Sequence, residues 1–334
     1  MPLQSDLQID RTKFAPSAVF QKTKDFNQKL MDAMQNGPAW YEVGAEKYRQ
    51  MRWNGETPMP RPTVLAHGKD MTFPSRDKDR SLTARVFEPR NGNKSKGLFM
   101  HIHGGGWVLQ SEAYQDTMLA YMADECDLTV ISIGYRLAPE HPFPAGNEDC
   151  FDAAEYLVDS GEERFGARLM FMGGDSAGAH LSALTAFHLI DTRPEFAFKG
   201  LVLNFGAFQL GGWTPQVYHF DQPLILDRAI MARYLEAYLP GKTEEERRAP
   251  SISPLYKDMS SLNLPPALFT CGTRDCLYDD TIFMGAKWAL SGAESITKFY
   301  PGAPHGFVFF PPGACDQTEK ALADIKVFLN EHVG

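Results

Sequence analysis

The pentapeptide Gly174-Asp175-Ser176-Ala177-Gly178 sets a hydroxyl between glycines, directly after the apolar run Leu169 to Met172 and before a stretch of helical spacing. A serine on so tight a strand-to-helix turn holds a strained backbone angle, and the small residues two before and two after it keep neighbouring backbones apart. It also stands at a helix N-terminus, where the dipole favours a developing negative charge. The chemistry this suits is attack by Ser176 on a carbonyl carbon. A glycine-rich turn with an N-capping serine is the plainer account of the same five residues.

A second glycine run, upstream of the pentapeptide, favours the first account. The apolar run Gly97 to Ile102 leads into His103-Gly104-Gly105-Gly106-Trp107. A tetrahedral intermediate needs two or three backbone N–H groups aimed at one oxygen, and glycines let the chain turn its amides inward. Another donor is the amide of Ala177, next to the nucleophile. No G-x-G-x-x-G or G-K-[ST] pattern succeeds the glycines, so phosphate binding is not indicated. His103 is expected to anchor the loop by hydrogen bonding rather than to act as a base.

The chain downstream of Ser176 supplies a base and an acid. A serine hydroxyl becomes nucleophilic when an imidazole takes its proton and a carboxylate fixes that imidazole's tautomer. His305 lies in Pro301-Gly302-Ala303-Pro304-His305-Gly306-Phe307, after the apolar run Ile296 to Tyr300. His188 sits about three turns along the helix that starts at Ser176, His219 falls in an irregular segment, and His332 is next to the C-terminus. For the acid, Gly272-Thr273-Arg274-Asp275-Cys276-Leu277-Tyr278-Asp279-Asp280 comes after the run Pro266 to Cys271. Asp275 is nearest the strand end and is preferred, Asp279 is better placed as an N-cap for the next helix, and Asp280 trails both.

Positioning these groups requires a scaffold, and the chain alternates its signals accordingly. Leu82 to Phe87, Gly97 to Ile102, Leu128 to Ile133, Leu169 to Met172, Gly200 to Asn204, Pro266 to Cys271 and Ile296 to Tyr300 read as strands. Ser111 to Glu125, Asn147 to Leu157, Ala177 to Leu189 and Thr318 to Leu329 carry helical apolar stripes. Such alternation predicts an α/β fold with a mostly parallel sheet covered on both faces, its site beyond the C-terminal strand ends. Residues 1–60 and 209–248 break the rhythm. They read as two pieces of one helical lid, with a mobile tail as the alternative for the first, and 61–208 with 249–334 form the catalytic domain.

Composition narrows the remaining classes. The chain has 334 residues, 43% hydrophobic and 22% charged, with a formal net charge of −9. That length suits one large core plus a small lobe, and the acidic balance without a basic stripe argues against a nucleic-acid partner. Five cysteines at irregular spacing do not make a disulfide framework, and buried free thiols are expected. Neither a signal sequence nor an apolar stretch of membrane-spanning length is visible, so a cytoplasmic protein without membrane insertion is the expectation.

Together the motifs resemble the hormone-sensitive-lipase-like family of esterases, family IV among microbial lipolytic enzymes, on the α/β-hydrolase fold. The resemblance is carried by His103 to Trp107, Gly174 to Gly178, Tyr135-Arg136-Leu137-Ala138-Pro139-Glu140-His141-Pro142-Phe143-Pro144-Ala145, Ser253-Pro254-Leu255 and Pro304-His305-Gly306-Phe307. It spans roughly residues 65–330. It implies a Ser176, Asp275 and His305 triad, an oxyanion hole of Gly105, Gly106 and Ala177 amides, and a cap built from the N-terminal region and an insertion after the sixth strand. It also implies hydrolysis of a small-molecule ester with neither metal nor organic cofactor, and relatives often form homodimers through the last strand and helix. One departure is visible: the family's Asp-Pro-Leu at the acid is here Asp275-Cys276-Leu277, which frees a backbone N–H and loosens φ.

The aromatics of the lid pieces, Trp40, Tyr41, Trp213 and Phe220, suggest an enclosed apolar pocket, with Trp107 and Phe307 on its floor. Short- to medium-acyl esters are the expected substrates. The same triad would also serve a lactone, an amide or a thioester. Plant gibberellin receptors share the fold as ligand binders but have lost the catalytic histidine, which this chain keeps as His305.

Overall fold

Strands that are apolar on successive positions can only be buried on both faces, and the chain meets that demand with one central sheet. The computed structural model describes residues 8–311 and 313–334; the first seven residues of the expected lid piece lie outside the described residues. The strands are β1 (Lys69–Pro74), β2 (Ser81–Phe87), β3 (Gly97–Ile102), β4 (Leu128–Gly134), β5 (Leu169–Asp175), β6 (Gly200–Asn204), β7 (Ala267–Arg274) and β8 (Ser295–Pro304). The helices are α1 (Gln21–Asn36), α2 (Trp40–Val43), α3 (Ala45–Asn54), α4 (Asp116–Cys126), α5 (Ala145–Phe165) and α6 (Ala177–Thr192), then α7 (Pro215–His219), α8 (Arg228–Tyr238), α9 (Glu244–Arg247), α10 (Tyr278–Leu290) and α11 (Asp316–His332).

The sheet order is β1-β2-β4-β3-β5-β6-β7-β8. β2 is antiparallel to both neighbours, and the pairs from β4 across to β8 are parallel. Successive residues of one strand serve opposite cores, as a period of two requires. Leu98, Met100 and Met172 pack with Leu157 of α5, Leu181 of α6 and Trp288 of α10. Phe99 and Phe171 pack on the other face with Leu119 of α4 and Phe328 of α11.

From β3 the chain turns aside to β4, and from β4 it crosses back to β5 on the other flank of β3. The crevice beyond the C-terminal ends of β3 and β5 is therefore a topological switch point, the usual place for a ligand in such sheets. Ile102 pairs with Gly174 there, which brings the glycine loop after β3 beside the serine turn after β5. At the far side Arg274 pairs with Pro304, so the loops carrying Asp275 and His305 are neighbours.

The described parts of the segments outside the alternation, 8–60 and 209–248, pack onto this scaffold. On α1, Thr23 Oγ1 donates to Asp316 at 2.7 Å and Asn27 Nδ2 to the Gly302 carbonyl at 2.8 Å. Trp40 of α2 stacks on Tyr234 of α8, with centroids 5.1 Å apart. The sequence reading missed β1, an edge strand with only Phe73 buried and so little apolar signal. It began α4 too early, since Glu112 to Gln115 form turns, and it stopped α5 eight residues short of Phe165. Among the described residues no helix is long and apolar enough to cross a membrane. All five cysteines are free and buried, as expected.

Candidate active site

Ser176 stands at φ 56° and ψ −115°, in the positive-φ region that a side chain enters only under constraint. The constraint is the close approach of β3. A Cβ on Gly178 would fall 1.9 Å from the Ile102 carbonyl oxygen, and one on Gly174 2.3 Å from the same atom. Only hydrogen fits at those two positions, so the chain pivots at Ser176 and projects its side chain over the sheet edge.

Asp175, beside the nucleophile, is fully buried and accepts three hydrogen bonds: from Gln115 Nε2 at 2.7 Å, Asn204 Nδ2 at 2.8 Å and His101 Nε2 at 3.0 Å. These fix the turn from strands β3 and β6 and from the residue capping α4. Sequence reasoning assigned none of them a part; the only sequence signal is a polar residue inside an apolar strand, for His101 and Asn204, and Gln115 has none.

His305 Nε2 lies 2.9 Å from Ser176 Oγ, and its Nδ1 lies 2.8 Å from Asp275 Oδ2. All three residues are buried. The second carboxylate oxygen of Asp275 accepts the Leu277 amide at 2.9 Å. This bond holds the carboxylate where the expected proline is replaced by the buried Cys276.

The rival carboxylates have other partners. Asp279 is not an N-cap: Leu277 holds that position, and Asp279 sits in the first turn of α10, accepting the Gln216 amide at 2.8 Å. Asp280 accepts the amides of Phe208 and Gln209, both at 2.9 Å. Burial pushes its carboxyl up to about 7 despite those bonds.

Gly105 at φ 102° and Gly106 at φ 62° turn the loop after β3. A Cβ on Gly105 would meet the Leu109 carbonyl oxygen at 2.2 Å. Among the described residues the amides of Gly105, Gly106 and Ala177 donate to no acceptor. Gly105 and Gly106 line the same cavity as Ser176, and Ala177 follows Ser176 in the chain, the placement an oxyanion hole would require.

The loop is braced from beneath. His103 Nδ1 donates to the Gly104 carbonyl at 2.8 Å, and burial pushes its imidazole down to about 3, so it anchors and does not exchange protons near neutrality. Tyr135 Oη donates to the His103 carbonyl at 2.9 Å, and the Ala138 amide donates to the Trp107 carbonyl at 2.9 Å. Tyr135 and Ala138 thus act as a strut for the glycine loop after β3, a role the sequence did not disclose.

A cavity of about 160 Å³ opens onto Ser176 and His305. Trp107 lines it, as do Trp40 and Tyr41. Three of the expected pocket residues do not. Phe307 is fully buried beneath the histidine loop, 5.1 Å from Tyr300 and 5.9 Å from Phe205, because the 3-10 turn Phe307–Phe309 points its first ring inward. Phe309, two residues on, faces the cavity instead. Phe220 packs toward Leu224 and Phe310, and Trp213 packs against the main core. Among the cavity residues that sequence reasoning missed are Arg49, Arg52, Gln110, Tyr114, Met231 and Tyr234.

Comparison with known proteins gives the family. A family model described as the alpha/beta hydrolase fold matches residues 99–309. The chain is 30% identical over 258 residues to the carboxylesterase NlhH of Mycobacterium tuberculosis, covering 75% of this chain and 79% of that protein. It is also 30% identical over 235 residues to an arylesterase of Saccharolobus solfataricus, covering 70% and 75%. The solved structure of a hyperthermophilic esterase from the archaeon Pyrobaculum calidifontis superposes with a TM-score of 0.81 at 29% identity, covering 93% of this chain and 98% of that one. The chain belongs to the α/β-hydrolase family, in its hormone-sensitive-lipase-like branch, and is a carboxylic ester hydrolase.

Proposed function

We propose that the chain cleaves short- to medium-acyl esters through an acyl-enzyme on Ser176. The observation that carries this is the unbroken line from Ser176 Oγ through both nitrogens of His305 to Asp275. His305 Nε2 takes the serine proton as Oγ bonds to the ester carbonyl carbon. Asp275 keeps the proton on Nδ1 and stabilises the imidazolium, while the Gly105, Gly106 and Ala177 amides bind the oxyanion. The C–O bond then breaks, the alcohol leaves with the proton from His305, and water releases the acid by the same steps.

The modest cavity supports short and medium acyl groups. The packing of Trp40 on Tyr234 supports residues 8–60 and 209–248 as two parts of one lid. Five free buried thiols support action in a reducing compartment, the cytoplasm. The test is a p-nitrophenyl ester series on the wild type and Ser176→Ala. Turnover should fall by several orders of magnitude in the variant, and an acyl adduct should appear by mass spectrometry on Ser176 alone. Substantial turnover by the variant would disprove the reading.

A further inference from the structure

Arg52 belongs to the last turn of α3, but its side chain runs inward and is only 8% exposed. It lines the same cavity as Ser176 and His305. Its Nε is buried without a hydrogen-bond partner, and among the described residues no Asp or Glu lines the cavity. The titratable groups nearest it are the phenols of Tyr114, Tyr48 and Tyr234, whose pKa values burial raises, so they stay neutral and supply no counter-charge.

Arg49, one turn earlier and on the same cavity, is the contrast. It donates to the Val108 and Ala138 carbonyls and pairs with Glu140 at 2.8 Å. Arg49 is thus committed to the scaffold, and Arg52 is not. Removing a guanidinium from water without a counter-ion is costly, and it remains charged at neutral pH. Such a residue is completed by an anion arriving in the cavity. One lone cation in a small apolar chamber matches a monoanion, and a planar carboxylate matches the guanidinium fork.

We propose that the ester hydrolysed here carries a carboxylate on its acyl or its alcohol portion, and that Arg52 binds it and sets specificity; this rests on the ester-hydrolase reading of Ser176. The test uses two matched pairs. p-Nitrophenyl hexanoate against the mono-p-nitrophenyl ester of adipate probes the acyl side. Phenyl butyrate against p-carboxyphenyl butyrate probes the alcohol side.

The wild type should favour the carboxylate member of one pair by about tenfold or more in kcat/KM. Arg52→Met should bring that ratio to parity, and Arg52→Lys should keep part of it, with melting curves reporting that each variant is folded. Competitive inhibition of the wild type by adipate over hexanoate reads the same contact without a variant. No preference in either pair, or a ratio unchanged in Arg52→Met, overturns the proposal while the neutral esters still report an intact hydrolase. Failure of the wild type on all four esters overturns the ester reading itself.

Discussion

Trp107 and Tyr238 stack with ring centroids 4.6 Å apart and planes 4° from parallel. One succeeds Gly104 to Gly106 and the other closes α8, so the segment 209–248 rests on the glycine loop proposed to hold the oxyanion. Trp107 Nε1 also donates to His180 Nδ1 at 3.1 Å, and Tyr238 Oη donates to Asn147 at 2.6 Å. Tyr238→Phe should cost about 1–3 kcal/mol by stranding the buried Asn147, with little change in kcat. Tyr238→Ala should cost about 3–5 kcal/mol and lower kcat as well, because the loop loses its support. Urea unfolding beside ester kinetics separates the two effects.

The acid should be identified by its partner. Asp275→Asn preserves shape but removes the charge beside His305 Nδ1, and kcat should drop by about 10⁴. Asp279→Asn loses only the charge on a bond to the Gln216 amide and should stay close to wild type. Equal losses in the two variants would refute the assignment.

At Gly105 an alanine must hold φ 102° with its Cβ against the Leu109 carbonyl. The loop therefore has to move. Gly105→Ala should reduce kcat by about 10²–10³, the usual loss of one oxyanion donor, while KM for a short ester shifts little. Steady-state kinetics on p-nitrophenyl acetate would show the split.

Stability should depend on pH through His180 and Asp280, with opposite signs. Burial holds the His180 imidazole down to about 4, between the Trp107 indole and the Ile252 carbonyl. The unfolded chain takes up a proton near 6.5 and the folded chain does not, so stability is lost as pH falls from about 6.5 towards 4. Asp280 is raised to about 7, so its contribution is complete below about 4 and is lost as pH rises through 7. Urea midpoints between pH 4 and 8 should rise more steeply with pH in Asp280→Asn and less steeply in His180→Gln. Parallel curves for all three proteins would contradict these environments.

The sequence by itself showed the candidate groups in order: the glycine loop, Ser176, the preferred Asp275, and His305. Each lies at the end of a strand whose apolar run is local and therefore legible. It also determined the two-faced sheet, because alternate residues of β3 and β5 must fill opposite cores. The tertiary structure alone decided which groups share the cavity.

Phe307 and Phe309 are chemically alike, and only the 3-10 turn after His305 sends one into the core and the other to the cavity. Arg49 and Arg52 lie three residues apart on one helix, and only long-range packing gives the first a carboxylate and leaves the second without one. Asp175 likewise gains its three donors from β3, β6 and the residue before α4. Periodicity records which face of an element is buried. It does not record what that face meets, and here that depends on the crossing of the chain at the switch point between β3 and β5.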